Sequence, residues 1–168
     1  MSDILRLIAG GLLALICCYI GLLIKRRYRD RAVFYKSACE YVQAMSSELT
    51  LNKTPIPDIA SRFTAGRKGE FEKVLSECID LKKQGKSFDY VLENVNISKL
   101  KSDEKKEVIS FFCGDGKSAL NDQLSFVEYY RDIFEKKRNK CEEESKKLGG
   151  MFFKLCALLG IAIMLILA

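Results

Sequence analysis

Residues 111–124 read FFCGDGKSALNDQL, and the reading of GDGKS decides between two folds. A phosphate-binding loop needs Gly, four free positions, then Gly-Lys-Ser/Thr, so that successive backbone N–H groups wrap the phosphates and the Lys reaches the outermost one. Gly116-Lys117-Ser118 supplies the end of that pattern, but Phe111 stands where its first Gly belongs. Such a loop also follows a buried strand and opens a helix beneath a parallel sheet. What precedes it here is SDEKKEVISFFC, whose apolar Val108, Ile109 and Phe112 recur at helical spacing between Lys and Glu. Nowhere does the chain alternate at period two for long. The glycines therefore read as a helix stop and a turn between two helices, and the fold reads as all-α.

The rest of the chain agrees. Only two of the 168 residues are Pro, Pro55 and Pro57, so almost every position is free to be helical. From residue 28 to 51 the apolar positions Val33, Phe34, Ala38, Tyr41, Val42, Met45 and Leu49 step by three or four. Asn52-Lys53-Thr54-Pro55 stops that helix, because the residue before a proline is pushed out of helical geometry. A short second helix is expected over residues 58–64, with Pro57 suited to its first turn. Phe71, Val74, Leu75, Cys78, Ile79 and Leu81 mark a third, ending at Gly85. Ser87 caps a fourth, with Phe88, Val91, Leu92 and Val95 inward. Ser102 opens a fifth, placing Asp103 and Glu104 against the positive helix N-terminus. The sixth is the longest, with Leu120, Leu124, Val127, Tyr130, Phe134, Cys141 and Leu148 on one stripe. That stripe thins over residues 137–147, which read as a solvated helical stalk.

Chemistry is thin throughout. The absence of His removes the usual acid–base group near neutral pH, the Ser-His and Cys-His nucleophile pairs and the commonest metal ligand. Cys17, Cys18, Cys39, Cys78, Cys113, Cys141 and Cys156 form no C-x-x-C pair. An odd count without staple spacing reads as reduced thiols used as small apolar residues, with zinc held by four separate Cys as the rival. No catalytic residue, cofactor or metal site is expected. The Lys and Arg excess gathers near the chain ends rather than on a face with interleaved aromatics, so nucleic acid is not expected as a partner.

Apolar residues pile up at the two ends. Residues 7–24, LIAGGLLALICCYIGLLI, are 18 uncharged positions, enough for roughly 27 Å of hydrocarbon at about 1.5 Å per residue. The run meets Lys25-Arg26-Arg27-Tyr28-Arg29 directly, which favours an uncleaved segment over a signal peptide. Residues 148–168 are the second candidate, interrupted early by Lys154 and read either as a span or as a tail lying on the surface. Membrane lipid is thus an expected partner. The expectation is three parts: a transmembrane anchor over 1–24, a cytoplasmic bundle of about six helices over 25–147, and a transmembrane helix over 148–168. Lys25, Arg26, Arg27, Arg29, Lys146, Lys147 and Lys154 flank the two spans, which puts the middle in the cytoplasm and both termini outside.

The order of these features, an apolar start, a basic juxtamembrane run, LNKTPIPDI over residues 51–59, the glycine turn at residues 111–123 and an apolar tail, resembles the stage III sporulation protein AB family of endospore-forming bacteria. The likeness covers the whole chain. Gly116 and Gln123 match family positions, while Asp115 stands where Leu is usual and Ala119 where an acid is common. The resemblance implies a soluble part similar to the cytoplasmic domain of the type II secretion and type IV pilus platform protein. It implies a scaffold in a secretion-like channel complex between mother cell and forespore, in the mother-cell membrane. A soluble secretion-type ATPase and other membrane subunits of the channel are the implied partners. Two polar turns are the expected contact surfaces: Thr54, Pro55, Ile56, Pro57 and Asp58, and Gly114, Asp115, Gly116, Lys117 and Ser118. A homo-oligomer is a further expectation, and the alternative is a membrane-tethered helical adaptor or signalling coiled coil unrelated to secretion, with residues 137–147 as its dimer seam.

Overall fold

A computed structural model describes residues 2–114 and 120–167, with side chains at 11–12, 15–114, 121–148 and 150–162. All regular structure among the described residues is helical: α1 (Ser2–Leu51), α2 (Ile56–Thr64), α3 (Glu70–Lys83), α4 (Phe88–Asn94), α5 (Ser102–Cys113) and α6 (Leu120–Leu167). The chain divides into two compact units. Unit 1 holds Met1–Ala32 and Asn139–Ala168, and unit 2 holds Val33–Arg138.

The core of unit 2 is aromatic. Phe34, Tyr35 and Tyr41 of α1, Phe63 of α2, Phe71 of α3, Phe111 and Phe112 of α5 and Phe134 of α6 are all buried. Their rings meet mostly edge to face, as the π quadrupole favours: Phe34 on Phe71 at 5.4 Å and 74°, Tyr41 on Phe63 at 5.1 Å and 62°, Phe111 on Phe134 at 5.2 Å and 89°. Burial also pushes the Tyr41 hydroxyl far above its ordinary value and the Cys78 thiol up to about 12. Both groups are therefore neutral packing elements at physiological pH.

Helix ends follow the sequence signals in most cases. At Gly85, φ is +73°, its N–H donates to Lys82 O (3.0 Å), and the Lys86 N–H donates to Leu81 O (3.1 Å). This is the paired closure that a left-handed residue after a helix permits, and glycine adopts that conformation without a Cβ penalty. Ser87 Oγ accepts from the Tyr90 N–H at 3.4 Å, as a serine cap should. α5 differs: Ser102 is its first helical residue and Lys101 the cap. Glu104 folds back, and its Oε2 accepts the Lys101 N–H at 3.1 Å, which is why this acid is buried.

At the end of α1, Lys53 has φ +50°. The left-handed region costs a non-glycine residue roughly 1–2 kcal/mol. Lys53→Gly is expected to raise stability by about 0.5–1 kcal/mol after the extra chain entropy of glycine is set against that relief. A shift of the urea midpoint at unchanged slope is the check.

In unit 1, α1 and α6 form an antiparallel pair. Arg31 Nη1 meets Glu144 Oε2 at 3.1 Å, and Lys25 Nζ lies 5.9 Å from the centre of the Phe153 ring. Residues 137–147 are therefore not a free stalk: Cys141 is buried and Glu144 is paired to α1. Leu12, Leu15, Tyr19 and Leu22 of α1, and Met151, Leu155, Leu158 and Ile161 of α6, expose large apolar surface. Yet among the described residues no helix is long and apolar enough to cross a membrane. The expected flanking transmembrane helices are corrected on that finding. In α6 the charged Lys154 interrupts the run.

Candidate functional site

A cleft of about 660 Å³ opens in unit 2 where five helices converge. α1 contributes Tyr41 and Met45; α2 contributes Ile56, Pro57 and Ala60 from its first turns; α3 contributes Leu75, Ile79, Lys82 and Lys83. Phe111 and Phe112 of α5, with Gly114 just beyond it, and Asp122, Gln123 and Phe126 of α6 complete the wall.

Each polar edge of the cleft has a structural cause. The last carbonyls of a helix lack intrahelical partners. Lys82 of α3 supplies them for α5: its Nζ donates to Cys113 O at 3.0 Å and Gly114 O at 2.8 Å. α5 stops at Cys113 with Gly114 as its C-cap, at φ −51° and ψ 140°, a conformation that any residue can adopt. A Cβ there would stand 2.5 Å from Cζ of Phe126, so a larger residue would have to displace that ring.

The turn leading into the cleft is organised by Glu48. Its Oε2 accepts from Asn52 Nδ2 at 3.0 Å and Thr54 Oγ1 at 2.9 Å, with Arg62 Nη1 at 3.9 Å. Hydrogen bonds from Asn52 and then Thr54, with a smaller contribution from Arg62, hold its carboxyl below the ordinary value of 4.5. A depressed carboxylate contributes stability that is present above its unfolded pKa and lost as pH falls through the folded one. Glu48→Gln is expected to be less stable than the parent at pH 7, with the gap closing as pH drops below the carboxylate range. Urea midpoints across that pH range test this.

Arg67 fixes the next connection. Its Nη1 lies 2.9 Å from Glu40 Oε2 of α1, and its guanidinium carbon stands 4.1 Å above the Phe63 ring. Both partners of that ion pair are half exposed, so it orients the loop more than it stabilises it. A wider polar groove runs along α3 and residues 94–99, where Lys99 Nζ meets Glu70 Oε2 at 2.6 Å.

A family model described as stage III sporulation protein AB matches residues 6–168. The chain belongs to that family. Membership assigns it to sporulation at the stage the family is named for. Comparison with curated proteins and comparison with solved structures found no match.

Against this family background, the two expected contact turns can be placed. Ile56, Pro57 and Gly114 line one cleft. Thr54 is turned toward Glu48, and Pro55 and Asp58 are exposed at the start of α2. Asp115, Gly116, Lys117 and Ser118 lie outside the described residues. Lys25, Arg26, Arg27, Arg29, Lys146, Lys147 and Lys154 are exposed along α1 and α6 of unit 1, away from the cleft residues in sequence. Sequence reasoning missed Lys82, Lys83, Asp122 and Phe126. The one available signal was the pair of lysines in the last turn of α3, which complements a helix C-terminus.

Proposed function

We propose that this chain is a non-enzymatic scaffold of a secretion-like channel complex between mother cell and forespore, required for endospore development. In this reading unit 2 docks a soluble secretion-type ATPase on its cytoplasmic side, through the turn at Thr54–Asp58 and the loop that follows α5. Unit 1 meets the lipid of the mother-cell membrane and other channel subunits. The observation that carries the reading is the six-helix body of a sporulation-family chain whose cleft unites Ile56 and Pro57 with Gly114.

Two further features support it. Among the described residues the cleft wall holds no nucleophile beside a base: Tyr41 is pushed toward its neutral form by burial, and Lys82 is engaged with carbonyls. On unit 1, exposed leucines and aromatics sit near Lys25, Arg26, Arg27 and Lys154, the pairing that acyl chains and anionic headgroups favour. The rival coiled coil through residues 137–147 is disfavoured because Cys141 is already covered within its own chain.

The test is co-elution of the purified full-length chain with the ATPase of the same complex. A stable complex that Asp58→Lys weakens, with helical content unchanged, is expected, and the chain alone should not bind ATP. Separate elution, or saturable ATP binding by the chain itself, would count against the reading.

A further inference from the structure

The floor of the unit 2 cleft is of a kind that contact at its rim does not use. Met45, Leu75, Ile79, Phe112 and Phe126 make it apolar, and five helices converge on it rather than two. Its volume of about 660 Å³ falls among sites that enclose a small molecule. A docked helix wants an open groove with anchors spread along one face. The charge lies at the edge. Lys82 is bound to the end of α5, whereas Lys83 is exposed and makes no ion pair among the described residues. Among the described lining residues Asp122 is the one acid, against Lys82 and Lys83.

We propose that this cleft binds a single-chain aliphatic carboxylate, with its hydrocarbon on the aromatic floor and its carboxylate on the Lys83 ammonium. A monoanion matches the one lysine that remains available among the described lining residues. A phosphate monoester would bring nearly twice that charge into an apolar mouth with no second available cation among them.

The chain carries a built-in reporter. It has four Met, of which Met45 is 2% exposed in the cleft wall and Met151 is 49% exposed on unit 1. The full chain, labelled with methyl-13C methionine and kept in solution by a neutral amphipathic polymer, is titrated with decanoate and separately with decanol. Decanoate is expected to shift the Met45 signal saturably. Its affinity should fall about tenfold in Lys83→Gln, and decanol should bind the parent about tenfold more weakly than decanoate, for loss of one charge-assisted contact. Ile79→Trp, which fills the cleft, should abolish the response. Lys83 is exposed, so its replacement leaves the fold in place even if the tryptophan variant does not fold. Shifts confined to Met151, or a Met45 response identical for decanoate and decanol, or one untouched by Lys83→Gln, would overturn the proposal.

Discussion

Phe111→Ala is expected to destabilise unit 2 by about 3–5 kcal/mol, the range for truncating a buried aromatic side chain. Phe111 is 4% exposed and its ring touches five others. It stacks on Phe126 at 5.7 Å and 10°, and meets Tyr41 at 6.0 Å, Tyr130 at 4.9 Å and Phe134 at 5.2 Å. It thereby joins α5 to both α1 and α6. No single neighbour can move into the space it leaves without uncovering another, so the cavity persists and the full cost is paid. Total stabilities of single domains run about 5–15 kcal/mol, and the loss is a large part of that. Urea unfolding followed by far-ultraviolet circular dichroism gives the number. Tyr130→Ala, on a half-buried ring, should cost clearly less. A loss at Phe111 under about 1 kcal/mol would mean the ring cluster closes around the gap and is not the hub of the core.

The second large effect lies in unit 1. Arg31 is buried, its side chain 9% exposed, and its Nη1 stands 3.1 Å from Glu144, whose side chain is 21% exposed. Removing one member of a buried pair strands the other charge and costs about 3–5 kcal/mol, whereas replacing both by apolar groups of similar shape is close to neutral. Glu144→Ala is expected to cost less, about 1–3 kcal/mol, since Glu144 keeps some contact with water and Arg31 has a further partner. The double change Arg31→Met with Glu144→Leu should recover most of the loss, and full additivity of the two single changes would contradict the pairing. The consequence reaches function, because this pair clamps α1 to α6 beside the basic residues assigned to lipid headgroups.

The six helices were legible from spacing and punctuation, and the reasons are visible in particular residues. Asn52 to Pro55 ends α1, Gly85 closes α3 with a left-handed turn, and Ser87 caps α4. The edges of the apolar stripes were not legible. Val33 and Phe88 recur at helical spacing yet are 56% and 39% exposed, because periodicity locates the middle of a stripe and not its margin. Buried Glu104 was hidden because its burial follows from bending back to cap its own helix. Gly114 ends α5 as its glycine suggests, but the close approach of Phe126 to it, a contact set by tertiary packing, was not legible. The terminal spans are corrected for a related reason. A run of apolar letters measures composition, and among the described residues no helix is long and apolar enough to cross a membrane. Of the cleft, the α2 turn and Gly114 were anticipated as surfaces, but their meeting in one cleft with Lys83 at its rim depends on helix packing that spacing does not encode.

Sporulation gives the decisive setting. The central claim is that a helical body works by holding a motor. It is tested most directly by placing a photoactivatable amino acid at position 58, in the exposed first turn of α2, and irradiating cells as they reach stage III. The account predicts a crosslink between this chain and the soluble ATPase of the complex, reduced by Asn52→Ala with Thr54→Ala, which loosens the turn around Glu48. Crosslinks to other proteins with none to the ATPase, in cells that sporulate normally, would contradict it.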